Sequence, residues 1–301
     1  MAFSYVMILR MISFLLKPLS TISLPTIHGL GSLLGNLVYF LMPKSKKLVI
    51  ENLTQSNLFN DEISLKKAVK QNILESGKSI LESFAIWQKS EREILSLVKQ
   101  VQGWSNVETA LQSGKGVIFL TPHLGCFEVT SIYIGAKHPL TVLFRAPKMK
   151  WLLPIIEKGR TRTGITLAEA NAGGVRKLMQ TLKKAGAVGI LPDQIPSAGE
   201  GEWAPFFNKP AYTMTLASKL ANKTGAAVIM VFGERLANGS GYHIHFTPLA
   251  EGSIATATLL NHAIEQQVKR KPNQYLWNYP RYKVRKGAKS QHLPAENIDA
   301  N

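Results

Sequence analysis

The sequence has little cysteine, few acidic residues and no long apolar run free of proline and glycine. Its single cysteine, Cys126, excludes an intramolecular disulfide and a structural zinc site built on cysteines. Only 19 acidic residues oppose 36 lysines and arginines, so the net charge is +17. Such a surplus implies a polyanionic partner: nucleic acid, an anionic membrane or an acidic protein. The 45% of hydrophobic residues excludes a disordered chain of this length.

Apolar residues dominate the N-terminus, over residues 3–16 and again over residues 18–43. Proline and glycine interrupt the second stretch, and its apolar piece over residues 29–42 is shorter than the about 20 residues that a membrane span needs. We expect a kinked, tilted membrane helix or short interfacial segments, with a buried helical hairpin as the alternative. Three lysines follow: Lys44, Lys46 and Lys47. By the positive-inside bias, they place the remainder of the chain in the cytoplasm.

Residues 48–290 are predicted to form one α/β domain, between an anchor of residues 1–47 and a polar tail of residues 291–301. Short apolar runs typical of strands occur at residues 116–120, 140–144, 187–191, 227–232 and 242–246. Helical patterns cover residues 62–87, 94–101, 127–135, 175–185 and 213–223. The alternation predicts a central, mostly parallel sheet flanked by helices, with functional loops at the carboxyl ends of its strands.

A histidine and a glutamate follow the first predicted strand. His123 lies in the turn after Thr121-Pro122, and Glu128 lies near the start of the next helix, with four residues between them. This spacing can bring the carboxylate back onto the imidazole. Acyl transfer to a hydroxyl needs such a pair, because the histidine takes the alcohol proton while the carboxylate fixes its tautomer. A structural histidine is the alternative.

Several further blocks occur in a fixed order along the chain. They are residues 144–147 (FRAP), 158–160 (KGR), 189–194 (GILPDQ), 205–207 (PFF), 216–226 and 273–277 (NQYLW). Together with residues 116–128 and the apolar N-terminus, this order resembles the late acyltransferases of lipid A biosynthesis, a family with a His-x4-Asp/Glu motif. The resemblance covers about residues 5–285 and implies a fold like that of the glycerolipid acyltransferases.

The resemblance implies transfer of a fatty acyl group from acyl-carrier protein to a hydroxyl of a lipid A precursor, on the cytoplasmic face of the bacterial inner membrane. His123 would be the general base and Glu128 its orienting partner. Arg160 and Arg145 would contact the phosphorylated acceptor or the negative charge that develops on the thioester oxygen. Asp193 and Gln194 belong to a matching block at the same edge of the sheet and are candidates for the substrate site without an assigned role. No metal ion or cofactor is expected, because a thioester is already an activated acyl donor.

Basic residues also dominate the C-terminal segment, where residues 269–289 contain no acid. Arg281, Lys283 and Arg285 alternate there with aromatic residues, which is typical of a surface that binds anionic lipid and would also suit an acidic carrier protein. Two alternatives remain open. The same chemistry could act on a glycerophospholipid or another glycolipid, or the chain could be a non-enzymatic membrane- or nucleic-acid-binding protein. No nucleic-acid-binding module is recognisable, so nucleic acid is not the expected partner.

Overall fold

A computed structural model describes residues 16–147, 149–162 and 164–284. Most of residues 3–16, Arg285 and the polar tail of residues 291–301 lie outside the described residues. A seven-stranded sheet forms the centre of the described chain, and a two-stranded hairpin lies apart from it.

The strands are β1 (Val98–Gln102), β2 (Val117–Leu120), β3 (Leu140–Phe144), β4 (Ile165–Glu169), β5 (Ala187–Ile190), β6 (Gly201–Phe206), β7 (Lys209–Met214), β8 (Ala227–Arg235) and β9 (Tyr242–Leu249). The order in the main sheet is β1-β9-β8-β2-β5-β3-β4. Strands β8, β2, β5, β3 and β4 run parallel, whereas β9 is antiparallel to β8 and parallel to β1. The hairpin pairs β6 with β7. This confirms the predicted α/β fold with a mostly parallel sheet.

The α-helices are α1 (Leu24–Leu41), α2 (Pro43–Gln55), α3 (Glu62–Gln88), α4 (Glu91–Leu97), α5 (Trp104–Gln112), α6 (Phe127–Lys137), α7 (Leu153–Arg160), α8 (Ala172–Lys183), α9 (Leu216–Thr224) and α10 (Ala257–Arg270). Single turns of 3-10 helix occur at Lys17–Ser20, Lys150–Leu152, Ala237–Gly239 and Pro272–Gln274.

Helices cover both faces of the sheet, and the central strand shows this in its side chains. Ile118 and Leu120 of β2 belong to one apolar cluster, and Val117 and Phe119 belong to another. Alternate side chains of a strand point to opposite faces. The strand is therefore buried on both sides, as its uninterrupted apolar sequence predicts.

Helix α1 is continuous through the proline and glycines that were expected to interrupt it. Pro25 lies in its first turn, where its missing N–H costs no hydrogen bond, and the Ser23 side chain accepts from the Thr26 amide. Gly31 and Gly35 let the backbone of α3 approach closely, because a Cβ on Gly35 would lie 2.3 Å from the Ile73 oxygen. The helix is long and apolar enough to cross a membrane, by length and composition alone.

Several segments differ from the sequence prediction. The helix expected over residues 94–101 ends at Leu97, and Val98–Gln102 instead forms edge strand β1, paired with β9. Strand β4 and the β6–β7 hairpin were not predicted. Edge strand β1 is largely exposed, so its apolar periodicity is weak. In the hairpin, β7 is buried at three successive positions, residues 211–213, and so lacks the alternation of a half-buried strand.

Candidate active site

His123 lies in a loop that follows the central strand β2. The loop is held on both sides by backbone hydrogen bonds. The Leu276 amide donates to the His123 carbonyl at 3.1 Å, the Gly125 amide to the Gln274 carbonyl at 3.0 Å, and the Cys126 amide to the Gly233 carbonyl at 2.7 Å. Gly125 has a positive φ of 61°, and a Cβ there would lie 2.1 Å from the Gly233 oxygen, so only glycine fits.

Asp193 supplies the carboxylate that contacts His123. One carboxylate oxygen lies 2.8 Å from the imidazole Nδ1, and the other accepts the His123 backbone N–H at 2.8 Å. The parallel register explains the contact, because Leu120 of β2 pairs with Ile190 of β5 and both side chains come three residues later. Burial would raise the pKa of Asp193, but the His123 imidazole and its hydrogen bonds outweigh burial and lower that pKa.

The other imidazole nitrogen faces Gln194. Its side-chain amide nitrogen lies 3.1 Å from the His123 Nε2. With Nδ1–H donating to Asp193, Nε2 is the acceptor in this pair, which is the tautomer that a general base requires. The His123 side chain is 12% exposed, so the ring is neither sealed in the interior nor freely solvated.

Glu128 does not hold the position that the sequence motif suggests. Its carboxylate is buried in the first turn of α6 and accepts two hydrogen bonds from the Arg160 Nε, at 3.0 and 3.2 Å, and a further one from the guanidinium terminus. Burial would lower the pKa of Arg160, but attraction to Glu128 outweighs burial and raises it. The structure therefore pairs Glu128 with Arg160, and Asp193 with His123.

A narrow, mostly apolar cleft with about 30 Å³ of accessible space lies between α6 and the sheet. Glu128 and Arg160 line it together with Leu140 and Ile165, the first residues of β3 and β4. Phe127 also lines it, and the Phe127 ring lies 4.9 Å from the His123 ring, centroid to centroid. The cleft thus runs from Phe127, which lies beside His123, toward the amino ends of β3 and β4, and its lining is mostly apolar.

Arg145 is exposed and follows β3. It lines a second cleft of about 430 Å³, together with Glu200 and Lys219. The loops after β3, β4 and β5 border this cleft, so it lies at the same carboxyl edge of the sheet as His123.

The basic residues predicted to face lipid divide into two groups. Lys44, Lys47 and Lys283 are exposed, and Lys46 is half-buried with its Nζ 4.4 Å from the centre of the Tyr39 ring. Arg281 is only 3% exposed, and its assignment to this surface is wrong. Its guanidinium donates inward to three oxygens: the Tyr212 carbonyl, Thr213 Oγ1 and Asn261 Oδ1. These bonds hold both terminal nitrogens of the guanidinium inside the core, where its Nε has no partner, so the group does not face a membrane.

Two features of the site were missed from the sequence. Asp193 was singled out without a role. It follows its strand by about as many residues as His123 follows the neighbouring strand, and this equal spacing was a usable signal. The buried pair of Glu82 and Arg235, whose carboxylate and guanidinium lie 2.5 Å apart at their closest, had no sequence signal because 152 residues separate its members.

One group of potential metal ligands lies on β8 and β9, where Glu234, His243 and His245 bring ligand atoms within 4.8 Å of one another. Two cations already contact them. The Lys271 Nζ lies 2.9 Å from Glu234, and an Arg270 nitrogen lies 2.9 Å from the His245 Nδ1. Their charge opposes cation binding at this cluster.

Known proteins resemble this chain over nearly its whole length. The model of the bacterial lipid A biosynthesis acyltransferase family matches residues 4–284. The lipid A biosynthesis palmitoleoyltransferase of Escherichia coli K12 is 25% identical over 266 residues, covering 87% of this chain and 86% of the relative. The lauroyltransferase of the same organism is 24% identical over 270 residues, covering 87% and 86%. A lipid A biosynthesis acyltransferase of Haemophilus influenzae is 26% identical over 191 residues, covering 61% and 59%. The chain belongs to the bacterial lipid A biosynthesis acyltransferase family and is an acyltransferase.

Proposed function

We propose that the protein transfers a fatty acyl chain from the thioester of acyl-carrier protein to a hydroxyl of a lipid A precursor, with His123 as the general base. Membership of the family supports acyl transfer onto lipid A. One observation carries the catalytic assignment. The His123 imidazole is oriented by the buried Asp193 carboxylate and lies beside an apolar cleft.

The reaction proceeds by direct attack. The Nε2 of His123 takes the proton of the acceptor hydroxyl as its oxygen bonds to the thioester carbonyl carbon. Asp193 stabilises the imidazolium that forms. The carbon–sulfur bond then breaks, the carrier leaves as a thiolate, and the imidazolium returns the proton to it as a thiol. Gln194 contacts the Nε2 in this structure, and the acceptor hydroxyl replaces this contact in the reaction.

Arg160 stabilises the negative charge that develops on the thioester oxygen. Its guanidinium lines the apolar cleft and is fixed by Glu128, so this hydrogen-bond donor is oriented before the reaction begins. In this assignment the glutamate of the His-x4-Glu motif acts through the arginine, while the aspartate after β5 acts on the histidine.

Cys126 is not the nucleophile of an acyl-enzyme in this mechanism. Its side chain is buried, and burial raises the pKa of the thiol well above its usual value. The thiolate is the reactive form of cysteine, so this environment keeps the sulfur unreactive. Direct transfer requires no cofactor.

The apolar surface of α1 supports action on a membrane-embedded acceptor. Its outward side chains are Leu30, Leu33, Leu37, Phe40 and Leu41, each more than 40% exposed. The lysines at its C-terminal end add positive charge beside this apolar face. We place the protein on the cytoplasmic face of the inner membrane, with α1 lying in the lipid interface.

Turnover of purified variants tests the proposal. With acyl-carrier protein thioester and lipid A precursor in mixed micelles, His123→Ala is expected to lower kcat at least about 100-fold, the scale of general-base catalysis. His262→Ala is the matched control, because that histidine is exposed and contacts only Gln266 among the hydrogen bonds found. Mass spectrometry of the product identifies the acceptor and separates lipid A from a glycerophospholipid. Near-normal turnover by His123→Ala would remove the mechanism.

A further inference from the structure

A buried ionic network lies directly beneath the His123 loop. Arg235, at the end of β8, is 4% exposed, and Glu82 of α3 is 1% exposed. The Arg235 Nε donates to Glu82 at 2.7 Å, and its Nη1 lies 3.3 Å from Glu75. Burial would raise the pKa of Glu82, but the charge of Arg235 and the hydrogen bonds of this network outweigh it and lower that pKa to about 2. The pair is therefore ionised at neutral pH.

The same guanidinium holds the catalytic loop. The Arg235 Nη2 donates to the Gly125 carbonyl at 2.7 Å, two residues after His123. Gln274 completes the clamp, because it exchanges two hydrogen bonds with the Arg235 backbone and accepts the Gly125 N–H. Both backbone polar groups of Gly125 are thus fixed by one arginine and the residue it pairs with.

Helix α1 contacts the other side of this network. The His28 Nε2 lies 3.0 Å from the second carboxylate oxygen of Glu82, which also accepts the Tyr242 hydroxyl at 3.1 Å. A continuous series of hydrogen bonds therefore runs from His28 through Glu82 and Arg235 to Gly125. It joins the apolar helix to the loop that carries the general base.

Stability alone is a weak reason for this arrangement. Removing two charges from water costs several kcal/mol for each ion, and apolar residues of similar volume often stabilise a fold as well or better. The arginine offers a directed donor that fixes a backbone carbonyl at a chosen position. A displacement of about 1 Å in a reacting group can cost about 100-fold in rate, so this fixing has a catalytic consequence.

We infer that Arg235 is a positioning residue, which holds the His123 loop through the Gly125 carbonyl. Through Glu82 and His28, it also makes the position of that loop depend on how α1 packs on the domain. The inference rests on the proposed function of His123. It goes beyond that function by naming groups that contact neither substrate nor the imidazole. An acceptor lipid reaches the site through the membrane in which α1 lies. This series of hydrogen bonds therefore couples the position of α1 in the membrane to the geometry of the general base.

Hydrogen exchange and kinetics on full-length protein test the inference together. Arg235→Lys keeps the charge opposite Glu82 but loses the fork that reaches the Gly125 carbonyl. We expect amide exchange at Gly125 and Cys126 to accelerate about 10-fold or more. We expect kcat to fall about 10-fold or more while KM changes less than about 3-fold. A purely structural residue would lower the melting temperature without this split.

A second variant and a control keep the result decisive if Arg235→Lys folds poorly. His28→Leu removes the contact between α1 and Glu82. It is expected to accelerate exchange at the same amides about 3-fold and also to lower kcat. Lys89→Met is the matched control. Lys89 holds the segment before α1 on the domain by donating to the carbonyls of Ser20 and Ile22, and it is not a member of the series from His28 to Gly125. Its loop exchange and kcat should remain at wild-type values.

The outcomes separate this inference from the proposed function. Wild-type exchange at Gly125 and wild-type kcat in folded Arg235→Lys would overturn the positioning role, as would faster exchange with unchanged kcat. Equal effects of His28→Leu and Lys89→Met would overturn the coupling to α1. Exchange does not depend on turnover, so an active His123→Ala enzyme would contradict the proposed function while the loop contact was still measured.

Discussion

Buried carboxylates with basic partners organise this protein at the scale of single residues. Asp193, Glu128 and Glu82 are each at most 2% exposed. Each accepts hydrogen bonds from a different basic side chain, and the three lie in or beneath the candidate active site. Because an unpaired charge in such surroundings costs several kcal/mol, each pair fixes the position of its partner.

Replacement of Asp193 by asparagine tests the orientation of His123. An asparagine amide can donate to the imidazole Nδ1 and thereby place the ring proton on Nε2, where it blocks the base. We expect Asp193→Asn to lower kcat at least about 100-fold with little change in KM. Steady-state kinetics with both substrates measure the effect. A loss of affinity at constant kcat would instead make Asp193 a substrate-binding residue.

Acid stability tests the Glu82 network. The pKa of Glu82 is about 2 in the folded chain against 4.5 for a free glutamate, which corresponds to about 3 kcal/mol of stability at neutral pH. Because the folded pKa is depressed, this stability is present above pH 4.5 and is lost as the pH falls toward 2. Denaturant unfolding between pH 7 and pH 3 measures it.

Glu82→Gln should be less stable at pH 7 by about 3–5 kcal/mol, because Arg235 is left as a buried charge without its main partner. It should also lose less stability on acidification than the wild type. Glu108→Gln, at an exposed position, is the control and should retain the wild-type pH dependence. Parallel stability curves for wild type and Glu82→Gln would contradict the assignment.

At the scale of elements, α1 and α3 pack closely against each other. The two backbones meet at glycines, since a Cβ on Gly77 would lie 2.1 Å from the Gly31 oxygen and one on Gly31 would lie 2.6 Å from the Lys78 Cα. This approach buries one face of α1 and leaves its larger apolar side chains outward. The glycines that weaken α1 as an isolated helix are thus what seats it on the domain.

Alanine substitutions along α1 test this packing. Gly35→Ala places a methyl group 2.3 Å from the Ile73 oxygen and should destabilise the fold by about 1–3 kcal/mol, the usual cost of overpacking. Gly29→Ala meets no atom within 4 Å, so the gain in helix propensity should leave stability unchanged or raise it by up to about 1 kcal/mol. Thermal unfolding in detergent compares the two. Equal effects would show that α1 does not pack against α3 at its glycines.

The whole molecule combines an apolar helix face with a net charge of +17. The two features make different contributions to binding at an anionic membrane. Apolar burial is nearly independent of salt, whereas attraction between exposed charges is screened over about 10 Å at 0.1 M salt. Membrane binding should therefore separate into a salt-sensitive part and a salt-resistant part.

Vesicle sedimentation measures both parts. Binding to vesicles with anionic lipid should weaken strongly between 0.05 and 0.5 M salt, because the screening length falls from about 14 to about 4 Å. The double variant Lys44→Gln/Lys47→Gln should reduce the salt-sensitive part, and Lys115→Gln, an exposed lysine elsewhere, should not. Leu33→Ser/Phe40→Ser should reduce binding at every salt concentration. Binding that ignores salt would argue against a basic docking surface.

Much of the fold follows from local patterns. The strands predicted at residues 116–120, 140–144 and 187–191 are found at Val117–Leu120, Leu140–Phe144 and Ala187–Ile190, because a strand covered on both faces must be apolar at successive positions. Helix α1 was expected to break at its glycines, since an isolated sequence gives no sign that another helix will pack on them. The strand at Val98–Gln102 was predicted as helix for the same reason, as only pairing with β9 makes it a strand.

The sequence by itself determined the alternation of strands and helices, the place of His123 after a buried strand and the family to which the chain is similar. The tertiary structure decided the partners. Asp193 reaches His123 because two parallel strands lie in register, and Glu128 reaches Arg160 across a cleft instead. These contacts join residues 70 and 32 positions apart, and both depend on how the strands are ordered in the sheet. Spacing along a chain carries no information about that order.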